Sequence, residues 1–275
     1  MPRSLIKSFF DKSFGENGNA MASSTVDDGV MLLNYNDAVI YMRDLRLVVE
    51  NDWLNDSIIH FYLELLKQES TEGHDYFMDP SVVSFFMQHC NDHEDIEDFV
   101  ASAPLPKDNG RIFIAVNDKM SAAVESGAIW MQHTSRGCAT AQGTHWSLLL
   151  MTIGTSASAD EIAVAAYHFD SHGECNLKVA VEIATKIAKY MYKRNAKVLS
   201  CETPQQVNGY DCGIHVLMAA RALASFDDID FRQQKLVYEQ ALHKTIVVQH
   251  GSNPGPAMRQ AISDTITSMA SKQLS

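Results

Sequence analysis

A thiol, an imidazole, a carboxylate and an amide are spaced along the second half of this 275-residue chain so that together they could do acyl-transfer chemistry. Cys212 closes the run Gln206-Val207-Asn208-Gly209-Tyr210-Asp211-Cys212-Gly213 and passes directly into an apolar stretch, 214–223, that reads as a helix. Sulfur at the start of a helix lies at the positive end of the dipole, where negative charge is stabilised. Gln206, six residues upstream, is near enough across a turn to aim its amide at the same place, as oxyanion donor to a nucleophile. A nucleophilic thiol needs a base, and the base needs an orienter. His145 stands in Gly143-Thr144-His145-Trp146-Ser147 at the head of an apolar run over 148–153, and Asp170 ends a second apolar run over 164–169. Two adjacent strands would set His145 beside Asp170. The order His, Asp, Cys, with Gln before the Cys, fills every role of a thiol protease.

The elements that must position these groups follow from periodicity and turn chemistry. Residues 146–153 and 162–170 read as an antiparallel hairpin joined by a Ser/Ala-rich connection. Residues 111–116 form a β-rich strand, and 196–201 a further strand that delivers Gln206. Leu54, Ile58, Tyr62, Leu65 and Leu66 recur at helical spacing, which predicts a helix over 53–67 capped by Asn51 or Asp52. Asn176 can cap a helix over 177–194, whose last turn carries Lys189, Lys193 and Arg194. The helix after Cys212 runs to about Ala224, and Asp residues at 227–230 begin another that reaches 246. Residues 30–34 read as a strand and 37–43 as one or two helical turns. Residues 69–79 read as a loop, and 81–90 as a helix in preference to a strand. The acidic run 91–98 reads as a solvated helix face. Residues 1–28 are expected to be a mobile tail, 29–250 a single domain, and 251–275 a tail or short peripheral helix.

Other groups compete for the same roles. His168, His172 and Cys175 are close in sequence but lack a fourth ligand and a zinc-type paired spacing, so neither a metal nor another cofactor is expected. His215 follows Cys212 on the same helix and cannot easily reach the thiol from the side. Asp211 reads as a turn residue, and His133 as a weak alternative base.

The bulk numbers set limits. A hydrophobic content of 46% suffices for a real core, and a net charge of −12 argues against a generic nucleic-acid partner. Five widely spaced cysteines without a Cys-x-x-Cys pair read as thiols of a reducing compartment. No apolar run reaches the length of a membrane span. The expected setting is cytoplasmic, nuclear or both, and the expected state a monomer.

The three segments around His145, Asp170 and Cys212 match one family in order and local context. His145 is followed by Trp146-Ser147-Leu148-Leu149. Asp170 lies between Tyr167-His168-Phe169 and Ser171-His172, and Gln206 precedes Asn208-Gly209-Tyr210-Asp211-Cys212-Gly213. With these residues the chain resembles the ubiquitin-like-protein-specific (sentrin-specific) cysteine proteases, closest to their deneddylase branch, over about residues 30–245. The resemblance implies an α+β, papain-like fold with a mostly antiparallel central sheet packed on the helix that bears Cys212. It implies cleavage after the C-terminal diglycine of a ubiquitin-like modifier, Nedd-type first and SUMO as the alternative; an effector-type acetyltransferase on the same fold is a more distant reading, and a non-catalytic modifier-binding protein is opposed by the complete set of four groups. It also implies a narrow passage for the diglycine tail, walled by Trp53 and Trp146, with Asp56 of the Trp-Leu-Asn-Asp segment set to meet basic residues of the tail. The segments 119–142 and 154–161 are longer than compact members need, and bear on modifier choice.

Overall fold

A computed structural model describes residues 27–70, 74–107, 109–121, 145–155, 162–226, 234–248 and 253–273. The expected tail at 1–28 lies almost wholly outside them. So do His133, most of the 119–142 and 154–161 segments, and the 227–230 acidic run.

The chain opens with a β-hairpin, β1 (Met31–Tyr35) and β2 (Ala38–Tyr41). Its turn residues Asn36 and Asp37 have φ of 47° and 69°, a left-handed conformation that Asn and Asp tolerate. Of the stretch 37–43, read as helical turns, 38–41 is therefore strand, while 42–43 open the first helix, α1 (Met42–Val49). Helix α2 (Asp56–Glu69) starts later than the periodicity suggests. Asn55, not Asn51 or Asp52, caps it by accepting the Ile58 N–H at 3.2 Å, so Trp53 lies ahead of the helix.

The central sheet has the order β3 (Asp75–Met78), β4 (Gly110–Asn117), β5 (Trp146–Thr155), β6 (Ile162–Phe169), β7 (Val198–Cys201). The two inner pairings are antiparallel, as expected, and both outer pairings are parallel, so the sheet is mixed within an α+β fold. Strand β3 falls in the stretch read as a loop. It is four residues long at an edge, too short for alternation to reveal it. Between β3 and β4 come α3 (Pro80–Gln88), with Asp79 as cap and Pro80 at its first position, and the acidic α4 (His93–Ser102).

Strand β4 is buried along its whole length, which requires cover on both faces. Helix α5 (Leu177–Tyr192) packs across β4 to β7, while α6 (Cys212–Ala224) packs on β5 and against α2. Helix α6 is buried almost all round, and a buried arginine holds each of its ends. At the far end Arg111 of β4 donates to the carbonyls of Leu223 and Phe226 at 2.8 Å each while paired with Asp75. At the near end Arg259 meets Asp211 at 2.8 Å.

Arg259 belongs to α8 (Gly255–Gln273), which follows α7 (Gln234–Leu242). The C-terminal segment is thus a 19-residue helix that buries Ile262 and Ile266 in the common core, against the expectation of a tail or short peripheral element. Among the described residues no helix is long and apolar enough to cross a membrane.

Candidate active site

The strands deliver the residues expected to be the base and its orienter. Leu148 of β5 pairs with Phe169 of β6, so Asp170, one residue past the strand end, falls level with Ser147 and near His145. His145 Nε2 and Asp170 Oδ1 are 2.7 Å apart, and both residues are buried. The same carboxylate accepts the backbone N–H of His172 at 2.9 Å and of Asn176 at 3.0 Å. Burial alone would raise the pKa of Asp170. The hydrogen bond and charge of His145 and the two backbone donors outweigh it and hold Asp170 below the usual carboxylate range. The turn that supplies those donors needs Gly173, whose φ is +76°.

The nucleophile helix delivers the thiol. Cys212 is the first residue of α6, buried, and its side chain hydrogen-bonds the His145 ring. Because Nε2 faces Asp170, Nδ1 is the ring nitrogen left for the sulfur. Burial pushes the His145 pKa down. Hydrogen bonds and charge from Asp170 and Cys212 push it up more strongly, to about 10. The ring therefore holds a proton through neutral pH. Asp211, at the N-cap position, gives α6 no side-chain cap, because its carboxylate is engaged by Arg259 and by Asn208 Nδ2 at 2.7 Å. The first N–H groups of α6 thus have no acceptor from the capping residue, which suits a site that must meet an oxyanion.

Gln206 lies on the turn between β7 and α6. Its Oε1 accepts from the Ser171 hydroxyl at 2.8 Å, and its Nε2 donates to the Asn208 carbonyl at 2.7 Å. That bond uses one of the amide's two N–H groups.

Trp53, Asp56 and Trp146 line one cleft of about 300 Å³, with Asn117, Lys119 and Ser84 among its other walls. Trp146 is buried and its indole N–H donates to the Leu54 carbonyl at 2.8 Å. Trp53 is 47% exposed and reaches over to donate to the Gly209 carbonyl at 2.6 Å. Gly213 lets these walls close in: a Cβ there would lie 3.0 Å from that of Leu54. Asp56 is exposed at the start of α2.

A chain of 275 residues thus gathers a buried His–Asp pair, a thiol at a helix start and a cleft with two tryptophan walls. The profile of the Ulp1 protease family, C-terminal catalytic domain, matches residues 52–242. The chain belongs to this family. It is a cysteine peptidase of the Ulp1 kind, and all seven expected site residues fall inside the matched segment. NEDD8-specific protease 1 of Arabidopsis thaliana is 28% identical over 207 residues, covering 75% of this chain and 80% of that protein. Sentrin-specific protease 8 of Homo sapiens is 30% identical over 210 residues, covering 74% and 84%. Among solved structures, a de-sumoylating protease aligns with a TM-score of 0.58 at 17% identity, covering 89% of this chain and 92% of that one. The Ulp1 protease domain solved with Smt3, the yeast ortholog of SUMO, aligns at 0.52 and 17% identity, covering 97% and 95%. These structures share the Ulp1 fold with this chain.

Of the competing groups, His172 lies beside the site, with its ring 5.9 Å from that of His145 and its backbone N–H on Asp170, and Asp211 stands at the N-cap next to Cys212. His168 is buried on β6, with Nε2 2.8 Å from the Ser147 hydroxyl, and His215 is buried and bonded to the Pro204 backbone. Cys90, Cys201 and Cys212 are free thiols. Cys175 is disulfide-bonded, so the reading of all five cysteines as thiols does not hold for it.

Sequence reasoning missed Ser171 and Asn208, and misread Asn176. Asn176 precedes α5 without capping it. Its amide instead donates to the carbonyls of Val116 and His145, tying β4 to the base. Asn208 accepts the N–H groups of Tyr210 and Asp211 and so builds the turn. An Asn three residues before an Asp, in an Asn-Gly turn, was the available signal.

Proposed function

We propose that the chain cleaves after the C-terminal diglycine of a ubiquitin-like modifier, with a Nedd-type modifier as its preferred substrate, acting on precursors and on conjugates. The observation that carries this reading is the Cys212–His145–Asp170 contact chain, with Trp146 directly after His145 and Leu54 packed on Gly213; Trp146 and Leu54 line the same cleft as Trp53. The relatives named for NEDD8 and sentrin, at 28–30% identity, support the choice of modifier.

The chemistry follows from the geometry. The Cys212 sulfur, whose proton the His145 ring holds, attacks the carbonyl carbon of the terminal glycine, and the carbonyl oxygen takes the electron pair. The Cys212 backbone N–H and the second N–H of Gln206 meet that oxyanion. Collapse breaks the C–N bond, and the protonated His145 gives its proton to the leaving amine. Water then attacks the thioester while His145 takes its proton; the C–S bond breaks, the modifier leaves as a carboxylic acid that ionises into solvent, and the free sulfur and protonated ring are as they began. Asp170 holds the ring and its charge throughout without itself being protonated. Aromatic walls on both sides admit a tail without side chains, which accounts for glycine at the last two positions. Asp56, exposed at the rim, is placed to pair with a basic residue further up the tail; an Asp56→Ala variant with undiminished modifier affinity would remove that role.

The test is covalent labelling with modifiers that carry a C-terminal electrophile. The Nedd-type modifier, SUMO and ubiquitin are run in parallel, with Cys212→Ala as control. Labelling by the Nedd-type modifier above the others, lost in the control, is expected. Labelling by SUMO alone would keep the chemistry and replace the modifier. No labelling of a folded protein would overturn the reading.

A further inference from the structure

Helix α8 lies outside the family-matched segment 52–242, yet its Arg259 is one of the most heavily bonded side chains next to the site. The guanidinium is buried and pairs with Asp211 Oδ1 at 2.8 Å. It also donates to the carbonyls of Leu47 and Asp52 at 2.9 Å each, and to those of Val48 and Tyr210 at 3.3 Å. From Asp211 the bonds continue without a break. Asn208 Nδ2 donates to Asp211 Oδ2 at 2.7 Å, Gln206 Nε2 donates to the Asn208 carbonyl at 2.7 Å, and Ser171 donates to Gln206 Oε1 at 2.8 Å. The other end of this chain is the residue after Asp170. A carboxylate next to the nucleophile would oppose negative sulfur, and Arg259 offsets that charge where it arises. Gly255, on the preceding turn of α8, is seated so closely that a Cβ there would fall 2.1 Å from Asp211 Oδ2.

We infer that Arg259 is a positioning residue for the reaction: through Asp211 and Asn208 it fixes the turn that carries Gln206 and presents Cys212, so that the C-terminal helix sets the oxyanion geometry. The inference rests on the assignment of Cys212 as nucleophile and Gln206 as oxyanion donor.

It is tested on the full chain with Nedd-type modifier and SUMO, each fused through its C-terminal glycine to a fluorogenic amine. Wild type and Cys212→Ala are compared with Arg259→Gln/Asp211→Asn, which removes both charges together and leaves no lone buried ion, and with Gly255→Ala, which keeps both charges and displaces the carboxylate. Folding is followed by near-ultraviolet circular dichroism and thermal melting. The expected result is a kcat lower by on the order of 10- to 100-fold in both variants, as for a small misplacement of reacting groups, with KM changed less than about threefold. A double variant that folds and keeps its kcat overturns the inference, as does a loss confined to KM, which would make the arginine a support of the cleft. Activity retained by Cys212→Ala, or absent from wild type, overturns the assignment beneath it and the inference with it.

Discussion

On the strand side of the site, the Asp170 carboxylate is bonded to His145 and to the N–H groups of His172 and Asn176. The Asn176 amide in turn clamps the His145 carbonyl. On the turn side, Gln206 and Trp53 reach only half-exposed or exposed positions, and each leans on a carbonyl of the same turn, Asn208 for one and Gly209 for the other. Paired strands fix backbone positions by many ladder bonds at once, so groups at their ends inherit that rigidity. A turn has few bonds of its own and must borrow them. Here it borrows from Arg259 and Ser171. The half of the site proposed to transfer protons is therefore set by local sheet structure, and the half proposed to meet the oxyanion by contacts from distant parts of the chain.

The largest effects should come from breaking the rigid half. Asp170→Asn leaves the shape of the site but loses the charge that holds His145 protonated and oriented. A kcat fall of about 10³- to 10⁴-fold is expected with the fold intact, measured on the fluorogenic modifier. A fall below about tenfold would mean that His145 does not need its orienter.

On the turn side, Gln206→Ala should lower kcat by about 10²- to 10³-fold, the cost of one oxyanion donor, with little change in melting temperature because the side chain is only partly buried. An unchanged kcat would leave the oxyanion to backbone N–H groups alone.

The two tryptophans separate stability from binding. Trp146→Ala empties a buried site and strands the Leu54 carbonyl, so a loss of about 3–5 kcal/mol in denaturant unfolding is expected. Trp53→Ala should cost under about 1 kcal/mol and show instead as weaker modifier binding by the Cys212→Ala protein. Equal stability losses would mean that the turn-side wall is as deeply built in as the strand-side one.

The same contrast explains what could be read from the chain. His145, Asp170 and Cys212 each adjoin an apolar run with clear periodicity, so their elements and mutual approach were legible. Helix α6 begins and ends where the pattern placed it, at Cys212 and Ala224. Two short elements, β2 and β3 of four residues each, were not legible, although β7, equally short, was read as a strand within 196–201. The bonds of Ser171, Asn176 and Arg259 were not legible either. Ser171 reaches Gln206 across 35 residues and Arg259 reaches Asp211 across 48, and no local pattern marks an arginine on α8 as buried. The helix itself looked peripheral because its polar residues hide a narrow apolar face, Ile262, Ile266 and Ala270.

The contrast can also be sharpened through the pH dependence of stability, where two buried histidines pull in opposite directions. His145 is held up at about 10, above its ordinary 6.5. The folded state binds that proton more tightly than the unfolded chain does, so the stabilisation is fully present below pH 6.5 and is lost as pH rises through about 10. His168 is pushed down to about 4 by burial, which together with the charge of His145 outweighs the nearby Asp170. There the unfolded chain takes the proton first, so stability present above pH 6.5 is lost as pH falls toward 4. The gap corresponds to on the order of 3 kcal/mol at most. His215, also lowered by burial, adds to the acid-side loss. Denaturant unfolding from pH 4.5 to 10 should therefore show a maximum near pH 6.5. Asp170→Asn should flatten the alkaline limb, and His168→Gln the acid limb. Asp170, whose pKa is depressed, begins to lose its contribution as pH falls through its ordinary 3.8, so it adds little to the acid limb above pH 4.5. An alkaline limb that survives Asp170→Asn unchanged would mean that the His145–Asp170 pair does not bind its proton more tightly in the folded state, and that the rigid half of the site is held by its backbone bonds alone.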